Sequence, residues 1–532
     1  MTAVQSAESG TAPARQGVVL TSLILVAAVA NLPLAAANVA LPSIGLHFDA
    51  SQTQLNLVAV CYSLGLAVSV LWFGAVGDRY GRKQMMLVGV VVSAIACPLM
   101  AWSPNIEVLI GARFVGGLAA GMAYPTTLSL ITALWSGPGR TKSIALWSAT
   151  GGAISALGPL LAGLLLVHYW WGSVFLMTLP LIVVAFPLAV KFIPAHVNEA
   201  SDPVDNLGGI LSALLVGATI LAINFAVVPN AMTLVISLII VAVAALFGFL
   251  ARERRAKFPL YALDIAARRV FWVAATAGII VFGSLMGAMF IGQQFLQNVL
   301  GYSTIDAGLA IIPAAVFMVL TAPRSAKLVE RKGARFTLLI GYACIFAGFL
   351  TMLLGWREGA SYPVIGLGYA FVGAGVGFAG TPASHSLTSS VPVTKVGMAS
   401  GTADLQRDLG GAIMQSIMGA LLTAGYAAAA TAAINGSSQS SQVSQSVQSE
   451  LTKSFDGAVA IANQYPQYKN QILSAAKTSF EHGQDWAYGA GLIAVSVGAL
   501  LVWRFFPDVV NEKRLLDEYH AIDVPAGEAK DA

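Results

Sequence analysis

Long apolar runs, each separated from the next by a short polar stretch, follow one another from about residue 18 to residue 506. Nearly every run approaches or exceeds the roughly 20 residues that an α-helix needs to cross the hydrocarbon core of a bilayer. The pattern predicts an all-α polytopic membrane protein with about 14 transmembrane helices. They are placed near residues 18–41, 57–73, 85–101, 108–134, 144–167, 173–190, 207–227, 232–250, 270–299, 307–323, 336–354, 363–382, 397–426 and 486–506.

Composition supports this interpretation. Hydrophobic residues make up 57% of the chain and charged residues only 10%, whereas a soluble domain carries roughly 25% charge. The three cysteines lie within apolar runs and are interpreted as packing residues. The sequence has no phosphate-binding loop, metal-ligand spacing or nucleophile elbow, so we expect no enzymatic activity, metal, cofactor or nucleic-acid partner.

The positions of the basic residues predict the orientation of the chain. Most of the 29 Lys and Arg residues fall in alternate loops and in the tails, which the positive-inside rule assigns to the cytoplasm. Both termini are therefore predicted to be cytoplasmic. Only Arg113 and Arg407 are left inside helices.

This topology divides the chain into two bundles of six helices and two inserted helices. The predicted segments are a cytoplasmic tail (1–16), an N-terminal bundle (17–193), a linker with the inserted helices (194–269), a C-terminal bundle (270–506) and a second cytoplasmic tail (507–532). The end of the linker, residues 251–269, is basic and is expected to lie on the cytoplasmic membrane face. An external loop (427–485) is expected to be flexible at 435–449 and to allow a surface helix at 451–476.

A glycine-punctuated charged stretch occurs once in each half. Glycines permit a tight turn between two helices, and the basic residues keep that turn in the cytoplasm. Asp78 is expected to pair with a cation on a neighbouring helix. The first copy resembles the signature loop between the second and third helices of the major facilitator superfamily, and the repeat fits the parallel repeats of such transporters. These gating-loop candidates are Gly74, Asp78, Arg79, Gly81, Arg82, Glu330 and Arg331.

The fifth run carries the sequence Ser-Ala-Thr-Gly-Gly at 148–152, followed by Gly158, Pro159 and Gly163, and together these residues resemble the antiporter motif of that superfamily. The alternative is an ordinary kinked helix, because membrane helices are rich in Gly and Pro. With further similarities at 295–313 and 397–411, the chain resembles the drug:proton antiporter family with fourteen helices. The resemblance implies a plasma-membrane exporter of hydrophobic drugs, monomeric and driven by the proton gradient. An exporter of an endogenous lipid, amino acid or metabolite, or a non-transporting sensor or scaffold, stays open.

Ionisable residues at membrane depth are costly and need a reason. Arg113 resembles the family's fourth-helix arginine, which implies proton coupling; the alternative is a structural partner for Asp78 or for carbonyl oxygens. Asp404 and Asp408 lie four residues apart with Arg407 beside them. Because three such groups cannot all be charged in an apolar setting, one carboxylate is expected to load and unload a proton. The alternative is that the trio locks a closed gate against the Asp78 loop.

The chain departs from the family in its first helix. Pro33 and Ala35 stand where relatives carry an acid and a Thr, and Asn31 is the nearest polar group. A preference for cationic drugs is therefore not expected. A central cavity between the bundles should be lined by aromatic and amide side chains. The candidates are Asn31, Asn38, Tyr62, Trp147, Phe282, Phe290, Gln293, Gln294 and Gln297.

Overall fold

The computed structural model describes residues 15–135, 143, 146–147, 158–195, 203–392, 396–437 and 443–523. Within these ranges all regular structure is helical. Thirteen helices are long and apolar enough to cross a membrane, and a shorter apolar helix spans Gly158–His168. Together they confirm the prediction of about 14 membrane helices. Residues 148–152, the first part of the proposed antiporter motif, lie outside the described residues.

The helices are numbered here in chain order, and each bilayer-length helix corresponds to one apolar run. They are α1 (Gln16–Phe48), α2 (Gln52–Tyr80), α3 (Arg82–Ala101), α4 (Ile106–Leu134), α5 (Gly158–His168), α6 (Ser173–Phe192), α7 (Asn206–Phe225), α8 (Met232–Arg255), α9 (Arg269–Val299), α10 (Thr304–Lys332), α11 (Ala334–Gly355), α12 (Tyr362–Ser389), α13 (Val396–Asn435), α14 (Gln445–Lys453), α15 (Phe455–Gln464), α16 (Lys469–Phe505) and α17 (Val509–Asp523).

Small residues let the helices of each bundle approach one another closely. In the N-terminal bundle, a Cβ added at Gly117 of α4 would lie 2.1 Å from the carbonyl oxygen of Tyr62 in α2. In the C-terminal bundle, a Cβ at Gly373 of α12 would lie 2.0 Å from the carbonyl oxygen of Ala314 in α10. Membrane helices associate through such close packing, because within lipid the hydrophobic effect does not drive helices together.

The inserted pair, α7 and α8, lies against the seam between the two bundles. Ile220 of α7 belongs to an apolar cluster with residues of α2 and α13. Asn224 Nδ2 donates to Ser416 Oγ of α13 at 2.8 Å, and Trp72 Nε1 of α2 donates to Asn206 Oδ1 at 3.0 Å. Helix α8 is exposed along most of its apolar length. We conclude that α7 contacts both bundles while α8 faces lipid.

Three sequence-based boundaries were wrong. The last membrane helix begins at Lys469 and not near residue 486, because it extends beyond the membrane as a polar helix. Within the segment expected to be flexible, Gln445 begins helix α14, which Ser444 caps. In the basic linker, Arg252, Arg254 and Arg255 form the last turn of α8, so this helix ends at Arg255 and not near residue 250.

Candidate functional site

Two glycine turns define one face of the protein, called here the hairpin face. Gly81 joins α2 to α3 with φ 122°, and Gly333 joins α10 to α11 with φ 85°. Both values lie in the region that favours glycine. Arg15 at the start of α1 lies over the Phe192 ring at the end of α6, and Val509 of α17 contacts Gly333. Both ends of the described chain are therefore on the hairpin face.

The charged groups of the first hairpin are satisfied within its own bundle. Asp78 Oδ1 lies 2.6 Å from Arg82 Nε, one turn further along the chain. Lys83 Nζ donates to the carbonyl oxygens of Val190 and Ile193 at 2.8 and 2.6 Å. Asp78 was expected to pair with a cation on a neighbouring helix. Its partner Arg82 is the first residue of α3, so the pair joins the two helices on either side of the Gly81 turn. Lys83 fastens this turn to the end of α6.

The second hairpin repeats the turn but not the ion pair. Glu330 and Arg331 are exposed, and the described residues contain no ion-pair partner for Glu330. Gly333 is buried instead, and a Cβ there would lie 2.4 Å from Val509 Cγ2. The two halves therefore share a backbone turn and differ in what holds it.

Arg113 is fully buried in the N-terminal bundle and binds carbonyl oxygens. Its Nε donates to Val58 O at 2.9 Å, and its Nη1 donates to Pro33 O at 3.2 Å. Nη2 lies 3.4 Å from Ala59 O, and the guanidinium stands 4.7 Å from the centre of the Tyr62 ring. Of the two partners considered from the sequence, the carbonyl groups are observed and Asp78 is not. Arg113 thereby joins α1, α2 and α4.

The trio on α13 lies at the contact between the bundles. Arg407 Nη1 donates to the hydroxyl of Tyr124 in α4 at 2.9 Å, and its guanidinium lies 4.6 Å from that ring's centre. Arg407 Nε lies 3.3 Å from Asp408 Oδ1. Asp408 Oδ2 and Arg407 Nη2 are buried with no hydrogen-bond partner among the described residues. A buried carboxylate with one unpaired oxygen is placed where a change in protonation changes the energy of the contact.

Tyr124 was missed by sequence reasoning. Its ring lies 5.3 Å from that of Trp147, whose Nε1 donates to Thr127 Oγ1 at 3.1 Å. A line of contacts therefore runs from Arg407 in the C-terminal bundle through Tyr124 to Trp147 in the N-terminal bundle. Only the neighbouring Pro125 marks this part of α4 in the sequence, and it points to a bend and not to a partner for Arg407.

The predicted cavity residues separate into two groups. Tyr62 hydrogen-bonds to Ala30 O and Gln293 to Ala307 O, so both act inside a single bundle. Gln294 and Gln297 instead contact the other bundle. Asn38 is fully buried, and neither end of its amide has a hydrogen-bond partner among the described residues. Asn31 and Phe290 are buried and Phe282 is partly buried, with Phe282 close to Gly380.

Amide side chains join the bundles at the opposite face, called here the cap face. Gln52 Nε2 of α2 donates to Gln294 Oε1 of α9 at 2.8 Å. Asn56 Nδ2 donates to Thr423 Oγ1 of α13 at 3.2 Å, and Gln297 Nε2 donates to Val39 O of α1 at 2.9 Å. Gln52 and Asn56 were not predicted, because polar residues in the first turns of a helix are commonplace. These contacts close the seam at the cap face.

The antiporter motif contributes to the same closed seam. A Cβ at Gly163 would lie 2.5 Å from the carbonyl oxygen of Thr304 in the other bundle, and Thr304 Oγ1 donates to Gly163 O at 3.1 Å. A Cβ at Gly308 would lie 2.8 Å from Pro159 O. Gly158 instead packs inside its own bundle, with its Cβ position 3.2 Å from Leu32 O. The motif therefore lets two backbones meet across the seam.

Gly163→Val is expected to weaken closure at the cap face, since its side chain cannot fit against the backbone of Thr304. We expect impermeant thiol reagents to label a cysteine placed at Gln52 faster in this variant than in the parent. Gly111→Val is the matched control, because nothing lies within 4 Å of a Cβ at Gly111. Equal labelling in all three proteins would contradict the assignment.

A second contact at the cap face involves a buried acid. Asp456 of α15 is 5% exposed, and a Cβ at Gly45 of α1 would lie 2.0 Å from its Oδ2. Lys453 Nζ lies 2.8 Å from Asp49 and 3.3 Å from Glu450, and Ser454 Oγ donates to Ala50 O. Burial, and next the charge of Asp49, raise the pKa of Asp456 to about 7.

Docking of α14 and α15 on α1 is therefore expected to depend on pH. In the undocked state the pKa of Asp456 returns towards its ordinary value, so the proton favours docking. Docking is at full strength below the undocked pKa of about 4, weakens about ten-fold per pH unit between there and the docked pKa of about 7, and changes little at higher pH. Hydrogen exchange of α14 and α15, corrected for intrinsic rates, should show this loss of protection. Asp456→Asn should flatten it; an unchanged profile in that variant would contradict the role of Asp456.

Known proteins resemble the chain along most of its length. The family model described as Major Facilitator Superfamily matches residues 23–415. "Multidrug efflux pump LfrA" of Mycolicibacterium smegmatis is 30% identical over 482 residues, covering 88% of this chain and 92% of that protein. "Multidrug resistance protein Stp" of Mycobacterium tuberculosis is 32% identical over 394 residues, covering 73% of this chain and 72% of that protein.

Solved structures resemble the fold at low sequence identity. A bacterial homolog of the human lysosomal transporter Spinster, in an inward-facing and occupied conformation, aligns with a TM-score of 0.61 at 14% identity, covering 93% of this chain and 98% of that one. A peptide transporter, POT, in complex with sulfate also aligns with a TM-score of 0.61 at 14% identity, covering 93% and 95% of the two chains. These similarities concern the fold alone.

Proposed function

Because the chain belongs to the Major Facilitator Superfamily, we propose that it is a proton-coupled exporter of hydrophobic drugs or similar small molecules. The family makes it a multi-pass membrane transporter and not an enzyme. Two relatives that match most of the chain, one named as a multidrug efflux pump and the other as a multidrug resistance protein, support drug efflux. The hairpin face, which carries both ends of the described chain and the basic turns, is assigned to the cytoplasm of a bacterial plasma membrane. The protein works as a monomer, and the proton gradient alone drives it.

The mechanism follows from the two ends of the seam. The bundles rock about a central site, so that contacts at the cap face break when those at the hairpin face form. The observation that supports proton coupling is the position of Asp408. Its buried carboxylate lies against Arg407, and Arg407 hydrogen-bonds to Tyr124 in the other bundle. When Asp408 or Asp404 takes up a proton, its negative charge is lost and its electrostatic attraction to Arg407 weakens. The energy of the contact between the bundles changes as a result.

The charge of the N-terminal bundle favours uncharged substrates. Among the described Lys, Arg, Asp and Glu residues of this bundle, Arg113 is the one at membrane depth, while the acids Asp49, Asp78 and Glu107 lie at helix ends. Pro33 offers only its carbonyl oxygen to Arg113 where the family carries an acid. No carboxylate in this bundle is therefore placed to attract a buried cation. Neutral, partly aromatic compounds are the proposed substrate class.

Accumulation of two dyes tests this proposal. Cells that express the protein should retain less Nile red, a neutral dye, than cells that lack it, and a protonophore should abolish the difference. Methyl viologen, a dication, should be retained equally by both. Nile red accumulation that is the same with and without the protein, and with and without the protonophore, would refute export. Exclusion of Nile red that survives the protonophore would refute proton coupling.

A further inference from the structure

Four helices enclose a cavity beyond the membrane at the cap face. The ends of α13 and α16 project past the bilayer-length part of each helix, and α14 and α15 bridge them. Serine residues 444 and 454 cap the two bridging helices, which fixes where each begins. The cavity between these four elements measures about 400 Å³. This volume lies within the range of sites that hold one drug-sized molecule.

Aromatic and aliphatic side chains form most of the wall. Tyr465 and Tyr468 come from the turn between α15 and α16, and Tyr426 comes from α13. Leu451, Ile461 and Ile472 complete the apolar surface. Tyrosine rings provide large rigid contact areas, and their hydroxyls give polar contacts at low entropic cost. Tyr465 is 40% exposed although it is aromatic, so the packing of the protein alone does not cover its ring.

The described wall of the cavity contains no charged side chain. Its polar groups are hydroxyls and the amides of residues such as Gln467 and Gln471. A charged ligand would lose part of its hydration there without gaining a counter-charge, which disfavours it. The wall therefore selects an uncharged, partly aromatic molecule, which is the class proposed for the central site from a different region of the chain.

The cavity is connected to the closed seam through Tyr426. Its hydroxyl lies 3.0 Å from Ser454 O and 3.2 Å from Leu451 O, where it donates. Ser454 in turn donates through Oγ to Ala50 O, just beyond the end of α1. One wall of the cavity is thus continuous with the contact between the external helices and the N-terminal bundle. Ser454 and Ala50 therefore place this wall beside the cap-face end of α1.

We propose that this cavity is a second binding site, which receives the uncharged substrate after its release at the cap face. The assignment rests on the proposed function for the identity of the ligand, while the site itself rests on the cavity and its wall. A substrate molecule bound in this cavity lies outside the seam. The amide contacts at the cap face can then form again without trapping the molecule between the bundles. The site adds selection for neutral aromatic compounds to the selection made within the membrane.

Protection of an introduced thiol tests the site in the full-length protein in nanodiscs. Gln471→Cys places a thiol on the wall, and Asn470→Cys places one beside it on the exposed surface of α16. An impermeant maleimide labels both. With Nile red at about ten times its Kd, labelling at position 471 should slow about ten-fold, while labelling at 470 should not change. Gln467→Cys, also on the wall, repeats the measurement if position 471 does not tolerate the change.

A filling variant completes the test. Ala475→Trp inserts an indole into the cavity and should remove the protection at position 471. Protection of neither thiol, or of both equally, overturns the second site, even where Nile red is exported normally. Protection that persists in Ala475→Trp also overturns it. Failure of the proposed function gives a different result, namely loss of Nile red export. Thiol protection is measured without transport, so the two failures can be told apart.

Discussion

Arg113→Leu is expected to destabilise the protein by about 2–4 kcal/mol and to abolish export. The guanidinium donates to Val58 O and Pro33 O and lies against the Tyr62 ring, so its loss releases contacts to two helices at once. Leucine fills only part of the space that arginine leaves, since Arg113 is one of the largest fully buried side chains among the described residues. Thermal unfolding in detergent measures the stability, and Nile red export per folded protein measures the function.

Arg113→Lys separates the two roles considered for this residue. Lysine keeps the positive charge, but one ammonium group cannot reproduce the fork that reaches Val58, Pro33 and Ala59. If the fork is what matters, Arg113→Lys should fall between the parent and Arg113→Leu in both stability and export. If Arg113 also serves coupling by its charge, export per folded Arg113→Lys protein should stay close to the parent. Normal export by folded Arg113→Leu protein would contradict the coupling role, and unchanged thermal stability of that variant would contradict the structural role.

Hydropathy determined most of the fold because the bilayer imposes a minimum length on every apolar helix. The same reasoning failed at α16, which begins at Lys469. Lys477, Glu481 and Asp485 lie on that extension, and a polar helix outside the membrane leaves no hydropathy signal. The C-terminal part of α13 was missed at residues 427–435 for a different reason, since its alanines are helix-forming but extend beyond the expected span.

The candidate site was only partly predictable, since a sequence shows which residues are unusual but not what they face. Asp408 and Arg407 stood out as charges within an apolar run, and they do lie at the bundle contact. Tyr124 carried no such mark, and its role depends on the packing of α4 against α13 across more than 280 positions of the chain. Tyr62 was predicted for the cavity, yet its hydroxyl binds Ala30 within one bundle. Aromatic residues at helical spacing do not reveal which face is inward.

The alternative for Asp404, Arg407 and Asp408 was a lock against the Asp78 loop. The described contacts do not include such a lock. Asp78 pairs with Arg82, and Arg407 contacts Asp408 and Tyr124. Arg407 still joins the bundles, so a structural role remains distinct from a role in coupling. Substitution of the acids distinguishes the two, because a lock needs a negative charge and a coupling site needs an exchangeable proton.

Asp408→Asn is expected to abolish proton-driven export of Nile red while leaving the protein folded. Asparagine has nearly the same shape as aspartate, but it cannot take up and release a proton, so the gradient no longer biases the cycle. Export in everted vesicles should fall to the level seen with a protonophore. Exchange of dye between two equal pools should continue, since this movement needs no proton. Asp404→Asn tests the second carboxylate of the pair in the same assay.

The exchange measurement decides between coupling and locking. A lock that loses its charge lets the bundles separate, so Asp408→Asn would speed exchange and raise leak while proton drive persists. Loss of proton drive with normal exchange instead assigns the proton to α13. Glu107→Gln is the matched control, because it removes an exposed carboxylate at the cap face that accepts a hydrogen bond from Gln54 within the N-terminal bundle. Proton-driven export that survives in both Asp404→Asn and Asp408→Asn would place the coupling proton elsewhere in the protein.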